Sequence, residues 1–455
     1  MREDFLKKFF IALFVLCLTI FSIINILYPK NNDISIKENR NLANFPEFTL
    51  NEFFTGDYFS KIDNWFSDSF IFRDKILVAN SNLKSFLSLN KYFKTKDDIV
   101  YIPARRQDEN FDNTKNVNNE NVSKNTKKII STNSQIKNEK ENIEVENLNR
   151  EDYSYDDGYA GQSEKVGGGY ILYNDAVYSD SNFSLIEGLD FLEVLDKYKK
   201  KFNNVRTSLV IAPTSSILLY GNTNFGSNSF DQSSMINSLI KNSNYDINIV
   251  NPVKMILDHR DEYLYFKYDH HWTNRGAYYA YKKFCESINE FAPALSDMRE
   301  TILNSAWEGS AYNYTNDMRL YGKTDEVIAY ISTRSNVMTI TMENGEEKTD
   351  YSGAIRKGFI SYSAFISGDN PFVEINVPSN DSNKCALVIK DSFGCAFVPY
   401  LVNNYGNIYV VDPRHTKFNV YEKLKDKNIV DIIAVVALYD VSQKAFTENV
   451  ENMIK

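Results

Sequence analysis

The chain has little histidine. Only four histidines occur in 455 residues, namely His259, His270, His271 and His415, and two of them are adjacent. Acyl transfer commonly depends on an imidazole that takes up a proton in the transition state. The scarcity of histidine therefore leaves few candidates for a general base.

Cysteine is equally rare. The four cysteines form no CxxC pair and show no spacing typical of a metal site or a disulfide framework. Neighbouring histidines on a strand point to opposite faces, and the HExxH pattern of zinc enzymes is absent. A metal site built from Asp269, His270, His271 and His259 is thus the less favoured alternative, and we predict neither a metal nor a soluble cofactor.

The sequence also lacks a basic patch. Its formal net charge is −9, its pI is about 5.3, and no run of Lys and Arg with interleaved aromatic residues occurs. This charge argues against a nucleic-acid partner. Hydrophobic residues make up 43% of the chain, which is enough for a globular core.

One apolar segment near the N-terminus, residues 9–28, contains no charged residue. As a helix it would extend roughly 30 Å, the thickness of a bilayer core. Arg2, Lys7 and Lys8 precede it, so we predict a cytoplasmic tail at 1–8, a single-pass anchor in the cell membrane, and an extracytoplasmic remainder. A cleaved signal peptide is the alternative, although no small-residue cleavage pattern follows the segment.

The remaining chain divides into three predicted parts by composition. Residues 29–104 form an N-terminal helical segment that packs on the main domain. Residues 105–165 form a disordered low-complexity insertion, since 22 of the 40 residues in 111–150 are Asn, Lys or Glu. Residues 166–455 form the catalytic domain.

Apolar, β-branched runs in the last part predict buried strands, and helical patterns at 191–202 and 276–288 separate several of them. This alternation indicates an α/β fold with a largely parallel sheet and helices on both faces. Ligands of such sheets bind beyond the carboxyl ends of the strands. The signals weaken from 302 to 378, which we interpret as an elaborated loop region over the site. The strand-like runs are 208–212, 247–250, 386–389, 408–411 and 432–436.

Ser392 follows one of these runs and precedes a helical pattern that begins near Phe393. A serine on a strand-to-helix turn resembles a nucleophile elbow, where free backbone N–H groups can bind an anion. The GxSxG motif itself is absent. The alternative is that Ser392 or Asp391 simply caps the helix.

Asp269 and His271 are two positions apart, so an extended backbone would place both side chains on one side. A carboxylate in that position can orient an imidazole for proton transfer. Thr273 is predicted to cap the helix that follows. His270 would lie on the opposite face, in a packing or supporting role, and a purely structural role for the whole group is the alternative.

Residues 269–277, which read DHHWTNRGA, resemble the signature of the DHHW proteins. These are relatives of the alginate O-acetyltransferase proteins in the SGNH hydrolase-like superfamily. Glu38-Asn39-Arg40, the stretch 65–74, the Asp-Ser turn at Ser392 and residues 411–414 agree in order. The resemblance implies an SGNH hydrolase-like parallel sheet with flanking helices and a permuted motif order, because Asp-x-His precedes the serine.

The resemblance implies that Ser392 is the nucleophile, His271 the general base and Asp269 its orienting partner. Asn370, in Gly-Asp-Asn, would donate to the oxyanion. Lys390 departs from the glycine that usually occupies its position in the superfamily.

Two further residues are predicted to contact substrate. These are Trp272 in the signature and Arg414, which would face the cleft. An ordinary ion pair is the alternative for Arg414.

The function implied is that of a membrane-anchored, extracytoplasmic O-acetyltransferase that acetylates a cell-surface polysaccharide. A membrane-bound O-acyltransferase would supply the acetyl group. The alternatives are a carbohydrate acetyl esterase, which uses the same triad, and a non-catalytic polysaccharide-binding or scaffolding subunit of an acetylation complex.

Overall fold

The computed structural model describes residues 34–35, 40–41, 45–46, 48–49, 53, 57–68, 145 and 147–455, except 181, 227–228, 343–344, 357 and 382. Within these residues no helix is long and apolar enough to cross a membrane. The predicted anchor at 9–28 lies outside them. Most of the predicted segment 29–104 also lies outside, as does the insertion up to 144.

Fifteen strands occur in the described part of the chain, two of which are only two residues long. They are β1 Ile34–Ser35, β2 Arg40–Asn41, β3 Glu164–Val166, β4 Tyr170–Tyr173, β5 Ala176–Ser179, β6 Arg206–Ala212, β7 Asn248–Val250, β8 Arg299–Trp307, β9 Asp325–Ile331, β10 Val337–Thr341, β11 Glu347–Asp350, β12 Phe372–Asn376, β13 Cys385–Lys390, β14 Asn407–Val411 and β15 Ile429–Ala437.

The helices of the described residues include long ones that flank the sheet and single turns near its edge. The α-helices are α1 Asp57–Asp68, α2 Leu185–Lys201, α3 Gln232–Asn242, α4 Val253–Leu257, α5 Asn274–Ser287, α6 Ala311–Thr315, α7 Gly394–Phe397, α8 Val420–Leu424, α9 Leu438–Val441 and α10 Lys444–Asn452. The 3-10 helices are Arg150–Tyr153, Gly167–Gly169, Ser215–Leu219, Leu295–Asp297, Met318–Leu320, Tyr362–Ala364 and Val398–Asn403.

An eight-stranded sheet forms the centre, in the order β11-β10-β12-β14-β13-β15-β6-β7. The five strands from β14 to β7 are parallel. Nearly every residue of β6, β13 and β15 is buried, as expected of parallel strands that are covered on both faces. The predicted α/β fold with a central sheet is confirmed, as are the strands and helices expected at 208–212, 386–389, 191–202 and 276–288.

The other three strands of this sheet are antiparallel, which differs from the prediction. β12 pairs antiparallel with β14, and β10 pairs antiparallel with both β12 and β11. These strands lie in the region 302–378, where the sequence indicated only short strands and turns within an elaborated loop region, and their topology was not predicted. β10 and β12 alternate between buried and more exposed residues, so they lack the continuous apolar runs that made the parallel strands recognisable.

The C-terminal end of the predicted insertion 105–165 contacts the domain. The backbone of Tyr155 donates to Gly221 O at 3.1 Å and accepts from Thr223 N at 3.0 Å, and its hydroxyl donates to Leu218 O at 2.9 Å. Tyrosines in this stretch supply the apolar surface that 111–150 lacks. The disorder predicted for the insertion therefore does not hold at Tyr155, and the division of the chain into segments otherwise stays a prediction.

A buried carboxylate, that of Asp431, lies near the amino-terminal ends of the parallel strands. Asp431 is 1% exposed and accepts hydrogen bonds from the Arg206 guanidinium and, at 2.8 Å, from Tyr405 Oη. Asp431→Ala leaves both donors without their partner, and hydrogen bonds to charged groups contribute about 1.5–3 kcal/mol each. We expect urea denaturation to show a loss of about 2–4 kcal/mol in the free energy of unfolding, less than the sum of two such bonds because the Arg206 side chain is 40% exposed and can bind water instead.

Asp246 provides the matched control, because it also pairs with a cation, Lys199, but its side chain is 99% exposed. Asp246→Ala should change the free energy of unfolding by less than about 0.5 kcal/mol. Equal losses in the two variants would contradict a role for burial.

Candidate active site

A tight loop after the bridge residue Tyr265 carries the DHHW motif to the start of α5. The buried Asp325 holds this loop, since its carboxylate accepts from Lys267 N at 3.0 Å and from Tyr268 N at 2.7 Å. The loop ends at Thr273, whose Oγ1 accepts from Gly276 N at 3.2 Å. The predicted cap at Thr273 is confirmed.

Asp269 and His271 are hydrogen-bonded to each other. His271 Nδ1 lies 2.6 Å from Asp269 Oδ1, which also accepts from His271 N at 3.0 Å. The second oxygen of Asp269 accepts from the backbone N–H of Ser310 at 3.0 Å and from its hydroxyl. Burial opposes ionisation of Asp269, but its electrostatic interactions with the two neighbouring histidines and these hydrogen bonds hold its pKa well below the usual range.

One face of the His271 ring lies against an aromatic residue. Tyr362 stacks on it at a centroid distance of 4.0 Å and an angle of 10°. His271 is 3% exposed, and within the described residues its Nε2 is buried without a hydrogen-bond partner. Such a nitrogen is unusual, because buried polar atoms normally have partners. It is therefore available to a group that enters the site.

His270 packs against the ring of His271. Its position between Asp269 and His271 in an extended segment had predicted that it would point to the opposite face. Its ring lies 3.8 Å from that of His271, and its Nδ1 is 3.1 Å from Ser310 Oγ. Burial, together with the interaction with the neighbouring His271 ring, lowers the pKa of His270 from 6.5 to about 3. His270 is thus uncharged at neutral pH.

Ser392 lies in the turn between β13 and α7 and is 8% exposed. Asp391 fixes this turn, because its carboxylate accepts from Phe393 N at 2.8 Å and from Ala437 N at 2.6 Å. No side chain caps the N-terminus of α7. The capping alternative therefore does not apply to Ser392, while Asp391 does bond a backbone N–H of the turn.

Three side chains join the DHHW motif to the serine turn. Trp272 Nε1 donates to Phe393 O at 2.9 Å, and Asn274 Nδ2 donates to Ala396 O at 2.8 Å. Tyr362, which stacks on His271, donates to Ser392 O at 3.0 Å. The two predicted halves of the site are thus neighbours in the structure.

Trp272 lies inside the protein. Its side chain is completely buried, and its indole N–H donates to the Phe393 carbonyl. A buried indole next to this motif can serve the packing of the motif as well as a ligand. In the structure Trp272 aligns the serine turn, and its contact with substrate stays a prediction.

The hydroxyl of Ser392 is not hydrogen-bonded to His271, since Nε2 of that ring has no partner among the described residues. The His271 ring centroid lies 5.2 Å from that of Phe393, the next residue after the serine. Catalytic hydrogen bonds are often long or poorly aligned without substrate. The structure therefore places the serine turn next to the imidazole, but no hydrogen bond joins Ser392 to His271.

Lys390, the residue that departs from the superfamily glycine, is 1% exposed. Its Nζ lies 2.7 Å from Asp369 Oδ1 and 3.1 Å from Asp412 Oδ2. Gly394 makes room for it, because a Cβ at that glycine would lie 2.5 Å from Lys390 Cβ. The fold thus accommodates a large side chain at position 390, where the family resemblance led us to expect glycine.

Arg414 belongs to the same network. Its guanidinium bonds Asp412 at 2.8 Å through Nε and reaches Asp369 at 2.9 Å, and its side chain is 24% exposed. Burial opposes its charge, but the two carboxylates hold its pKa above the usual range. The ion-pair alternative for Arg414 is what the structure shows, and contact with substrate stays a prediction.

Asn370 is 2% exposed, and its Nδ2 donates to Ser367 O at 3.0 Å. The residues before it adopt left-handed backbone conformations, with φ of +47° at Ile366, +65° at Ser367 and +76° at Gly368. Such a conformation is a genuine outlier for a β-branched residue. Strain of this kind accumulates at functional sites, but the oxyanion role of Asn370 stays a prediction.

Two groups of potential metal ligands occur in the described chain. In the first, Asp269 with its two neighbouring histidines, both carboxylate oxygens already bind His271 or Ser310. In the second, Asp369, Asp412 and His415, Lys390 and Arg414 supply positive charge. Neither arrangement calls for a cation, and the absence of a metal stays a prediction.

Sequence reasoning missed Ser310 and Tyr362. Ser310 had a signal in the preceding Gly309, whose φ is +64° and where a Cβ would lie 2.3 Å from Tyr268 O. A glycine that allows such a close approach marks a place where two segments meet. Tyr362 had no comparable signal, because nothing local distinguishes it from the other tyrosines.

The fold and the site together define a mixed α/β protein with an aspartate-bound histidine beside a serine turn at the carboxyl end of a parallel strand. The sequence pattern of the DHHW proteins matches residues 38–411. The chain belongs to the DHHW family. No curated protein matches it.

Two of the solved structures that resemble this chain share its fold, and a third is less similar. A DHHW family protein from Eubacterium siraeum is 23% identical with a TM-score of 0.52, covering 63% of this chain and 98% of its own. Bacillus cereus PatB1 is 19% identical with a TM-score of 0.51, covering 61% and 98%. The O-acetyltransferase domain of Pseudomonas putida AlgJ is 12% identical with a TM-score of 0.37, covering 62% and 99%.

The link between motif and turn yields a stability prediction. Asn274 is fully buried, and its amide bonds both Ala396 O and Tyr330 N, each at 2.8 Å. Asn274→Ala leaves two buried backbone groups unpaired, at about 1–3 kcal/mol each. We expect urea denaturation to show a loss of about 2–5 kcal/mol. Asn376→Ala, which removes only an exposed bond to Asn407, serves as the control and should cost less than about 0.5 kcal/mol.

The lowered pKa of His270 predicts a pH dependence of stability. Between its ordinary pKa of 6.5 and about 3, the unfolded chain binds a proton at this residue that the folded chain does not. The free energy of unfolding should therefore decrease as pH falls through this window, by about 1.4 kcal/mol per unit from this residue. Urea denaturation of the wild type and of His270→Gln at pH 5 and at pH 6 measures this contribution. If the free energy of unfolding changes equally with pH in both proteins, His270 is not its source.

Proposed function

We propose that the protein is an extracytoplasmic O-acetyltransferase that acetylates a cell-surface polysaccharide through Ser392, His271 and Asp269. One observation carries the proposal. The His271 imidazole is bound to a carboxylate at Nδ1, while its Nε2 has no partner among the described residues. This arrangement leaves a buried base, beside the Ser392 turn, that can take up one proton.

In the first half of the reaction, Ser392 Oγ attacks the acetyl carbonyl carbon and its proton passes to His271 Nε2. Asp269 stabilises the imidazolium that forms. The tetrahedral intermediate expels the donor's leaving group, which takes the proton from His271. The product of this half is an acetyl-serine ester.

In the second half, a sugar hydroxyl gives its proton to His271 and attacks the ester carbonyl. Collapse of the intermediate returns the proton to Ser392 Oγ and releases the acetylated sugar. Asn370 is the proposed donor to the oxyanion in both halves. Loss of one such donor typically raises the barrier by about 3–4 kcal/mol.

The setting of the reaction follows from the sequence and the family resemblance. Residues 9–28 would anchor the protein in the cell membrane with the catalytic domain outside. A membrane-bound O-acyltransferase would deliver the acetyl group. A carbohydrate acetyl esterase would use the same residues with water as the acceptor.

Two observations favour a second candidate function, a non-catalytic polysaccharide-binding or scaffolding subunit. Ser392 and His271 are not hydrogen-bonded, and the superfamily glycine is replaced by the buried Lys390. Both features would be tolerated in a protein that only binds glycan. The reactivity of Ser392 separates the two functions.

We expect an alkyl fluorophosphonate to add once to the purified wild-type protein, at Ser392, because the base activates this hydroxyl. Intact-protein and peptide mass spectrometry measures the adduct. Ser392→Ala should abolish labelling, and His271→Gln should slow it by a factor of at least about 100, the lower range of a general-base contribution.

Ser332→Ala is the control, because Ser332 bonds Asn403 and is not among the proposed site residues. It should label like wild type. A folded wild-type protein that fails to label, or that labels equally after Ser392→Ala, would refute the enzymatic function and favour the scaffold. Acetyl content of the cell-surface polymer after deletion then separates transferase, which predicts a decrease, from esterase.

A further inference from the structure

A group of apolar side chains is exposed on the segment that follows Ser310. We call Tyr312, Tyr314, Met318 and Tyr321 the tyrosine patch. Tyr314, Met318 and Tyr321 are 44, 48 and 50% exposed. The rings of Tyr312 and Tyr321 meet edge to face at 5.3 Å, and Tyr312 Oη lies 3.7 Å from Met318 Sδ. Tyr314 lies on the same short helix, α6, as Tyr312. Exposed apolar groups that occur together in this way commonly mark binding surfaces.

One member of the patch, Tyr314, contacts the candidate active site. The ring of Tyr314 contacts His270 edge to face at 5.8 Å, and His270 lies 3.8 Å from His271. Ser310, which bonds Asp269, immediately precedes α6, the helix that carries Tyr312 and Tyr314. A ligand held on Tyr314 would therefore lie two rings away from the proposed base.

The position of Tyr314 is fixed before any ligand binds. Its ring stacks on Tyr170, which is 5% exposed, at 6.3 Å and 27°. Charged groups frame the patch, since Arg319 pairs with Asp317 and with Glu164. Rigid aromatic rings with polar groups at their border suit a ligand that has both apolar faces and hydroxyl groups.

The size of the patch limits what can bind. A large side chain of this kind has about 200 Å² of surface, so three that are half exposed offer about 300 Å². A stable protein partner needs about 800 Å² on each side. The patch is too small for a protein interface, whereas a few sugar rings would cover it.

We propose that the tyrosine patch is the acceptor subsite, which binds a neutral sugar chain through the apolar faces of its rings. This proposal rests on the proposed function. The bound chain would direct the hydroxyl of an adjacent sugar past His270 toward His271 Nε2. The patch thereby determines which glycan is acetylated.

The test uses the full chain, 4-nitrophenyl acetate as donor, and cellopentaose and chitopentaose as acceptors. The nitrophenolate burst reports acylation of Ser392, and mass spectrometry of the oligosaccharides reports transfer. In Tyr314→Ala and Tyr321→Ala we expect the half-saturating acceptor concentration to rise at least tenfold, a larger change than any in the burst rate. Tyr314→Phe should retain most of the acceptor affinity, because it keeps the ring.

Tyr351→Ala is the control, since Tyr351 is 82% exposed and follows β11, four strands away from β13. It should leave both readouts at wild-type values. Acceptor dependence that is unchanged within a factor of two in both patch variants would overturn the proposal, as would a wild-type protein that binds neither oligosaccharide.

A wild-type protein without a burst would count against the proposed function and not against the subsite. Calorimetric titration with the same two oligosaccharides then decides on the subsite alone. Affinity that falls at least tenfold in Tyr314→Ala supports it, and affinity equal to wild type overturns it.

Discussion

The site depends on hydrogen bonds that tie the DHHW motif to the serine turn across 121 residues of sequence. Trp272 and Asn274 donate to the carbonyls of Phe393 and Ala396, and all four groups are buried. An imidazole on one segment can serve a hydroxyl on another only if their backbones keep a fixed distance. These two bonds, with that from Tyr362 to Ser392 O, fix it. The motif thus carries the proposed base and also holds the serine turn in position.

This double use explains what the sequence could predict. The Asp269–His271 pair and the Thr273 cap follow from chain spacing alone, and the structure contains both. Trp272 belongs to the same motif, but its environment depends on where the turn at Phe393 is folded. Spacing does not contain that information. Spacing along the chain therefore predicted the contacts within the motif, but it could not predict the bond from Trp272 to the serine turn.

The same distinction applies to the sheet. Parallel strands such as β13 and β15 are covered on both faces and read as continuous apolar runs, so they were recognisable. β10 alternates, with threonines on its more exposed face, and could not be separated from loop. Burial of Lys390 was equally hidden, because its partners Asp369 and Asp412 come from distant loops. A lysine after an apolar run reads locally as the end of the strand.

The buried lysine does what a glycine in its place would not. The loop at 366–368 has three successive left-handed residues, each non-glycine one costing about 1–3 kcal/mol. Such a loop persists only when its surroundings over-determine it. Arg356 bonds Ser367 Oγ at 2.7 Å, Asn370 bonds Ser367 O, and Lys390 bonds Gly368 O at 3.4 Å and the next side chain, Asp369. Lys390 is the last residue of β13 and lies two residues before Ser392. The strained loop and the serine turn are therefore both attached to the end of this strand. A movement of β13 would displace the two together.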